Sequence, residues 1–141
     1  MNTRLERPPP PDGFVAMVGR GPFTSHNGPY FHDPDAGGTK QAFWAEARHC
    51  NNLGIVHGGM LSTFLDGLLA GAAYRASGAT PVTMHLSIDF LDMARAGDWI
   101  LGEGRVTRAT GDVAFVEGRA HVASRDLARA SGVFKLLRRR A

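Results

Sequence analysis

Cysteine is nearly absent from this chain. The single Cys50 cannot close an internal disulfide, which fits a reducing, cytoplasmic setting. Long apolar runs are missing as well. None approaches the ~20 residues that a membrane-spanning helix needs. The start, Met1-Asn2-Thr3-Arg4-Leu5-Glu6-Arg7, lacks the apolar stretch of a signal peptide. No Gly-x-Ser-x-Gly occurs, which disfavours a serine hydrolase. His49, Cys50 and His57 have neither the spacing nor the carboxylate partner of a metal site. No basic stripe with interleaved aromatics crosses the body, so nucleic acid is not an expected partner. Lys135, Arg138, Arg139 and Arg140 alone exceed the net charge of +3, so the basic character is confined to a C-terminal tail. No internal repeat or linker divides the 141 residues, a length that suits one domain with a real core.

What is present is dominated by one stretch. Asn51-Asn52-Leu53-Gly54-Ile55-Val56-His57-Gly58-Gly59 reads as a loop that turns into a helix, because paired glycines permit close backbone approach. Met60, Leu61, Phe64, Leu65, Leu68, Leu69 and Ala72 then form an apolar stripe at helical spacing, predicting a helix through about Ala76. Asp66 lies off the stripe. Of its neighbours three and four residues away (Ser62, Thr63, Leu69 and Ala70), three are small. The carboxylate therefore stands beside a low surface that a substrate or second chain can approach.

The rest of the chain reads as strands. Residues 1–21 form an N-terminal Pro-rich segment, with Asp12 placed to cap a short helix over Phe14–Val18. Residues 22–141 form the main domain, ending in the basic tail. Within it, 22–32 reads as a weak strand interrupted at Asn27-Gly28-Pro29, 33–38 as a turn, and Thr39–Ala47 as a strand. After the helix, Val82, Met84, Leu86, Ile88 and Phe90 alternate with Thr83, His85, Ser87 and Asp89. Strands follow at Trp99–Arg108 and Val113–Ser124. Arg125-Asp126-Leu127 reads as a turn into a last strand, Ala128–Leu137. Short connections imply antiparallel neighbours. A curved antiparallel sheet must bury its apolar face, and the single helix is the one available partner. The fold class is therefore α+β.

Asn51, five residues, His57-Gly58-Gly59, six residues and Asp66, set at a loop-to-helix junction in such a chain, resembles the hotdog-fold thioesterases. The pattern is most similar to the phenylacetate-pathway (PaaI-like) and thioesterase-superfamily-member-2-like branch, over roughly residues 22–138. The resemblance implies a curved antiparallel sheet wrapped around one central helix. It implies homodimers, or dimers of dimers, with active sites shared between subunits. It also implies hydrolysis of an acyl-CoA thioester without metal or cofactor. Asp66 corresponds to the family's general base or nucleophile, and Gly58 to the backbone N–H that polarises the carbonyl. Asn51 corresponds to the side chain that places carbonyl or water, His57 to the support of the loop, and Thr83 to a hydroxyl that bonds the water. Gly59 adjoins the substrate. Arg108, Arg125 and residues 138–140 are candidates for the CoA phosphates by charge. Leu69, Tyr74, Phe90 and the N-terminal segment are expected to shape the acyl pocket. Two alternatives stay open: a non-catalytic acyl-CoA-binding member of the same fold, and an enoyl-CoA hydratase or dehydratase.

Overall fold

The computed structural model describes residues 7–36 and 39–138. Seven strands form one antiparallel sheet: β1 (Val15–Ala16), β2 (Phe31–His32), β3 (Lys40–Trp44), β4 (Thr80–Phe90), β5 (Trp99–Thr110), β6 (Val113–Val122) and β7 (Arg125–Leu137). Their order across the sheet is β1-β2-β3-β5-β6-β7-β4. A short helix α1 (Pro22–Asn27) precedes β2, and the long helix α2 (Gly58–Ser77) lies in the concave face of the sheet.

The apolar stripe of α2 sets this arrangement. Phe64, Leu65, Leu68 and Leu69 are buried against Phe43, Ile100, Val116 and Phe134 of the sheet. Each such side chain contributes about 1.5–3 kcal/mol on burial. The sheet closes tightly on the helix. A Cβ on Gly102 would stand 2.8 Å from Leu68 and from Phe64, and one on Gly118 would stand 2.8 Å from Leu69. Gly78 ends α2 in the left-handed conformation, donating its N–H to Tyr74 O.

On the opposite, convex face, Trp99 meets Trp44, Phe31 and Phe14 at ring-centroid distances of 4.7, 5.6 and 5.4 Å. Phe14 brings the N-terminal segment onto the body. Residues 14–18 are not helical, contrary to expectation. Gly13 and Gly19 both have positive φ, and between them Val15–Ala16 pairs with β2. The helix comes later instead, at Pro22–Asn27, in place of the expected weak strand. Pro22 suits a first helical position. Arg48 donates to the carbonyls of His26 and Gly28, and His49 Nε2–H donates to Asn27 O at 2.8 Å. A guanidinium and an imidazole thus satisfy the carbonyl end of α1.

Two further expectations are corrected. Arg125-Asp126-Leu127 belongs to β7, and the turn lies just before it, where Ala123 adopts a φ of 50°. The strict alternation expected for 82–90 is broken by a bulge between Thr83 and His85. Thr83 pairs with buried Phe134 and shares the helix-facing side with Leu86, Ile88 and Phe90, whereas Val82 pairs with Lys135 on the other side. A bulge inserts one residue and re-aims its neighbours. Of the anticipated tail, Arg139 and Arg140 lie outside the described residues, as do Gly37 and Gly38 of the expected turn.

Candidate active site

The loop before α2 is a closed unit. Asn51 Oδ1 accepts the N–H groups of Leu53 at 2.9 Å and Ile55 at 3.2 Å. Gly54, with a φ of 74°, makes the tight turn. The loop is pinned by bridges from Cys50 to Val56 and from Ile55 to Arg95. The Asn51 oxygen is therefore committed to the loop, and its amide nitrogen has no acceptor among the described residues.

His57 is the N-cap of α2, and its Nδ1 accepts the Gly59 N–H at 2.8 Å. Nδ1 is thus the acceptor in this cap. A Cβ on Gly59 would stand 2.9 Å from that Nδ1, so the cap requires glycine there. The His57 carbonyl accepts from Met60 at 2.9 Å and Leu61 at 3.1 Å. Gly58 N–H has no hydrogen-bond partner among the described residues. It sits where the helix dipole favours negative charge. The Phe90 ring closes over it, 3.5 Å from the position of a Gly58 Cβ.

Asp66 lies two turns further along. Its Oδ1 accepts the Thr83 hydroxyl at 2.6 Å, a short bond of the charge-assisted kind. The bulge in β4 is what turns Thr83 toward the helix. Asp66 also lines a cleft of about 300 Å³ with Arg20, Phe23, Thr24, Tyr30, Gln41 and the small residues of its own helix face. Burial pushes the Tyr30 hydroxyl up to about 12, so it keeps its proton.

Thr83 and Asp66 are therefore brought together, and His57, Gly58 and Gly59 form a second group at the helix start. The rise of an α-helix separates Gly58 from Asp66 by about 12 Å along the axis. Other expected residues stand apart. Arg125 donates to Met93 O at 2.5 Å and pairs with Asp92 at 3.3 Å, and Arg108 is exposed on β5. Neither lines the cleft. Leu69 is fully buried in the core and Tyr74 is exposed, so neither shapes it. The expected contribution of the N-terminal segment is present, through Arg20, Phe23 and Thr24. Tyr30 and Gln41 carried no sequence signal, since neither sits in a motif. A Pro at the start of a helix was the one clue to α1.

His49 is structural. It is 4% exposed, its Nδ1 accepts from Glu46 N–H at 3.0 Å, and burial holds its pKa below the ordinary value.

The profile of the thioesterase superfamily matches residues 53–128. A Pseudomonas aeruginosa protein named as a candidate esterase is 38% identical over 131 residues, spanning 89% of this chain and 96% of its own. Among solved structures, the Escherichia coli PaaI protein of the phenylacetic acid degradation operon matches with a TM-score of 0.67 and 21% identity, covering 70% of this chain and 72% of that one. A Streptococcus mutans protein bound to acetyl-CoA matches with a TM-score of 0.67 and 21% identity, covering 72% and 82%. These structural likenesses establish the hotdog fold. With a profile spanning more than half of its length and a relative that it matches almost end to end, this chain belongs to the thioesterase superfamily.

Proposed function

We propose that the protein is an acyl-CoA thioesterase that releases a carboxylic acid and free CoA. The observation that carries this reading is the Asp66 carboxylate, held by Thr83 at 2.6 Å and facing a cleft. In this reading water attacks the acyl carbon. Asp66 takes the proton of that water, or attacks directly and is then hydrolysed. The carbonyl oxygen gains negative charge and is met by the free Gly58 N–H at the start of α2, with the Asn51 amide nitrogen beside it. The thiolate of CoA leaves and is protonated. His57 holds the loop through its cap on Gly59. A positioned carboxylate supplies about 10²–10⁴ in rate as a base. One oxyanion donor supplies about 10²–10³.

The separation along α2 is too long for Asp66 and Gly58 of one chain to share a reacting carbon. The reading therefore includes a homodimer, alone or paired again, with Asp66 of one subunit facing Gly58 of the other. Exposed apolar side chains along β4 and beyond it support this: Val82, Met84, Phe90, Leu91 and Met93. The acetyl-CoA in the Streptococcus mutans neighbour supports a CoA thioester as the substrate. No helix of the described residues is long and apolar enough to cross a membrane. The lone cysteine supports placing the enzyme in the cytoplasm.

The test is free-thiol release from short, medium, long and aryl acyl-CoAs, with the native protein and Asp66→Asn. A fall of about 10² or more in the variant, with folding and assembly intact, is the expected result. Binding without release would make the protein a carrier of acyl-CoA. Equal release by both proteins would remove Asp66 from the mechanism.

A further inference from the structure

The cleft beside Asp66 is not lined as a hydrocarbon pocket. Three of its side chains bear hydrogen-bond donors that nothing in the fold uses. The Tyr30 hydroxyl is buried and has no partner, on a residue only 6% exposed. The Gln41 side chain is buried and has no hydrogen-bond partner among the described residues. Its Nε2 lies 2.6 Å from where a Gly71 Cβ would stand, so the helix leaves it room. Arg20 forms no ion pair among the described residues, and its Nη2 lies 3.8 Å from the position of a Gly67 Cβ. Gly67 directly follows Asp66, so the guanidinium rests on the same turn as the proposed catalytic carboxylate.

Burying donors without acceptors is costly, and filling the cleft with an alkyl chain would leave all three unpaired. A guanidinium pairs best with a planar anion, taking both oxygens of a carboxylate at once. Tyr30, which stays protonated, and the Gln41 amide offer further donors on the walls of the same cleft. The volume, about 300 Å³, is at the small end of ligand pockets.

Resting on the thioesterase reading above, we propose that the substrate is a short acyl-CoA whose acyl chain ends in a carboxylate. Arg20 receives that carboxylate, with Tyr30 and Gln41 donating beside it. The thioester then lies at the Asp66 end of the cleft, and the released product is a dicarboxylic acid.

The experiment compares glutaryl-CoA with pentanoyl-CoA, which have the same number of acyl carbons. Thiol release is measured for the native protein, Arg20→Met and Tyr30→Phe. The native protein is expected to favour glutaryl-CoA in kcat/KM by roughly tenfold or more, the usual effect of a hydrogen bond to a charged group. Arg20→Met should bring the ratio to about one, and Tyr30→Phe should lower it severalfold. A native ratio at or below one would overturn the proposal. So would an Arg20→Met variant that loses both substrates equally, because that marks Arg20 as a contact of CoA itself. If no acyl-CoA is cleaved, the thioesterase reading falls, and calorimetry with glutarate and pentanoate still decides this inference. Glutarate bound by the native chain and not by Arg20→Met supports it. Glutarate not bound, or bound no better than pentanoate, sinks it.

Discussion

The two edges of the sheet are built to opposite ends. At one edge β1 has two residues, bounded by glycines of positive φ and preceded by Pro8-Pro9-Pro10-Pro11. Such an edge is too short and too interrupted to template another strand. At the other edge β4 has eleven residues, pairs on one side only with β7, and leaves Val82 47% and Met84 62% exposed. Long apolar edges invite pairing. The contrast places the proposed subunit contact at β4, the strand that also carries Thr83 to Asp66. On this reading assembly and chemistry share one strand, while the segment joined to the closed edge supplies one wall of the cleft.

The largest effect should come from spoiling the open edge. Val82→Lys with Met84→Lys puts like charges where two copies would meet. Light scattering should show monomers, and thiol release should fall by about 10², as when an oxyanion donor is lost. Ala16→Lys, at the closed edge, should leave both unchanged. An active monomer would separate assembly from catalysis. A smaller loss is expected from Thr83→Val, which removes the 2.6 Å bond to Asp66. Roughly a tenfold fall in kcat is expected, with Thr83→Ser restoring it, since a hydrogen bond to a charged group is worth about 1.5–3 kcal/mol.

The smallest effect concerns the closed edge alone. His49 anchors α1 through Asn27 O as a neutral ring. Burial lowers its pKa below 6.5; the Asn27 bond and Glu46 oppose that shift, while Arg48 and Arg7 add to it. The unfolded chain then takes a proton first as the solution is acidified. Stability from this group is complete above 6.5 and is lost as pH falls from there toward the lower folded value. Thermal midpoints measured from pH 7.5 to 5 should show that decline, and His49→Gln should flatten it.

The helix and the inner strands were legible because their periods are long. Met60 to Ala72 repeats the helical spacing over several turns, and Ala114, Val116 and Ala120 repeat the strand spacing on the buried face. The short elements were not. Two-residue strands and a six-residue helix hold through Phe14 on Trp99 and Arg48 on the α1 carbonyls, which are contacts between distant segments. The alternation of β4 was legible, but a single bulge exchanged the faces of its first half. The motif residues Asn51, His57, Gly58 and Asp66 stand close together in sequence; the loop and helix start hold the first three, and α2 carries Asp66 two turns away. Arg20, Tyr30 and Gln41 come from three segments with no spacing between them that a pattern could hold, and only folding gathers them.

The missing side chains at Gly102 and Gly118 carry one more consequence. Leu68, Phe64 and Leu69 occupy the volume where those methyl groups would stand. The sheet thus acts as a keyway cut to the outline of the helix, and it blocks both rolling and sliding. The Asp66 carboxylate inherits its position from that fit. A methyl group added at Gly102, beside Gln41 on the neighbouring strand, would press on Phe64 and Leu68, lift the whole shaft and misalign a carboxylate that it never touches.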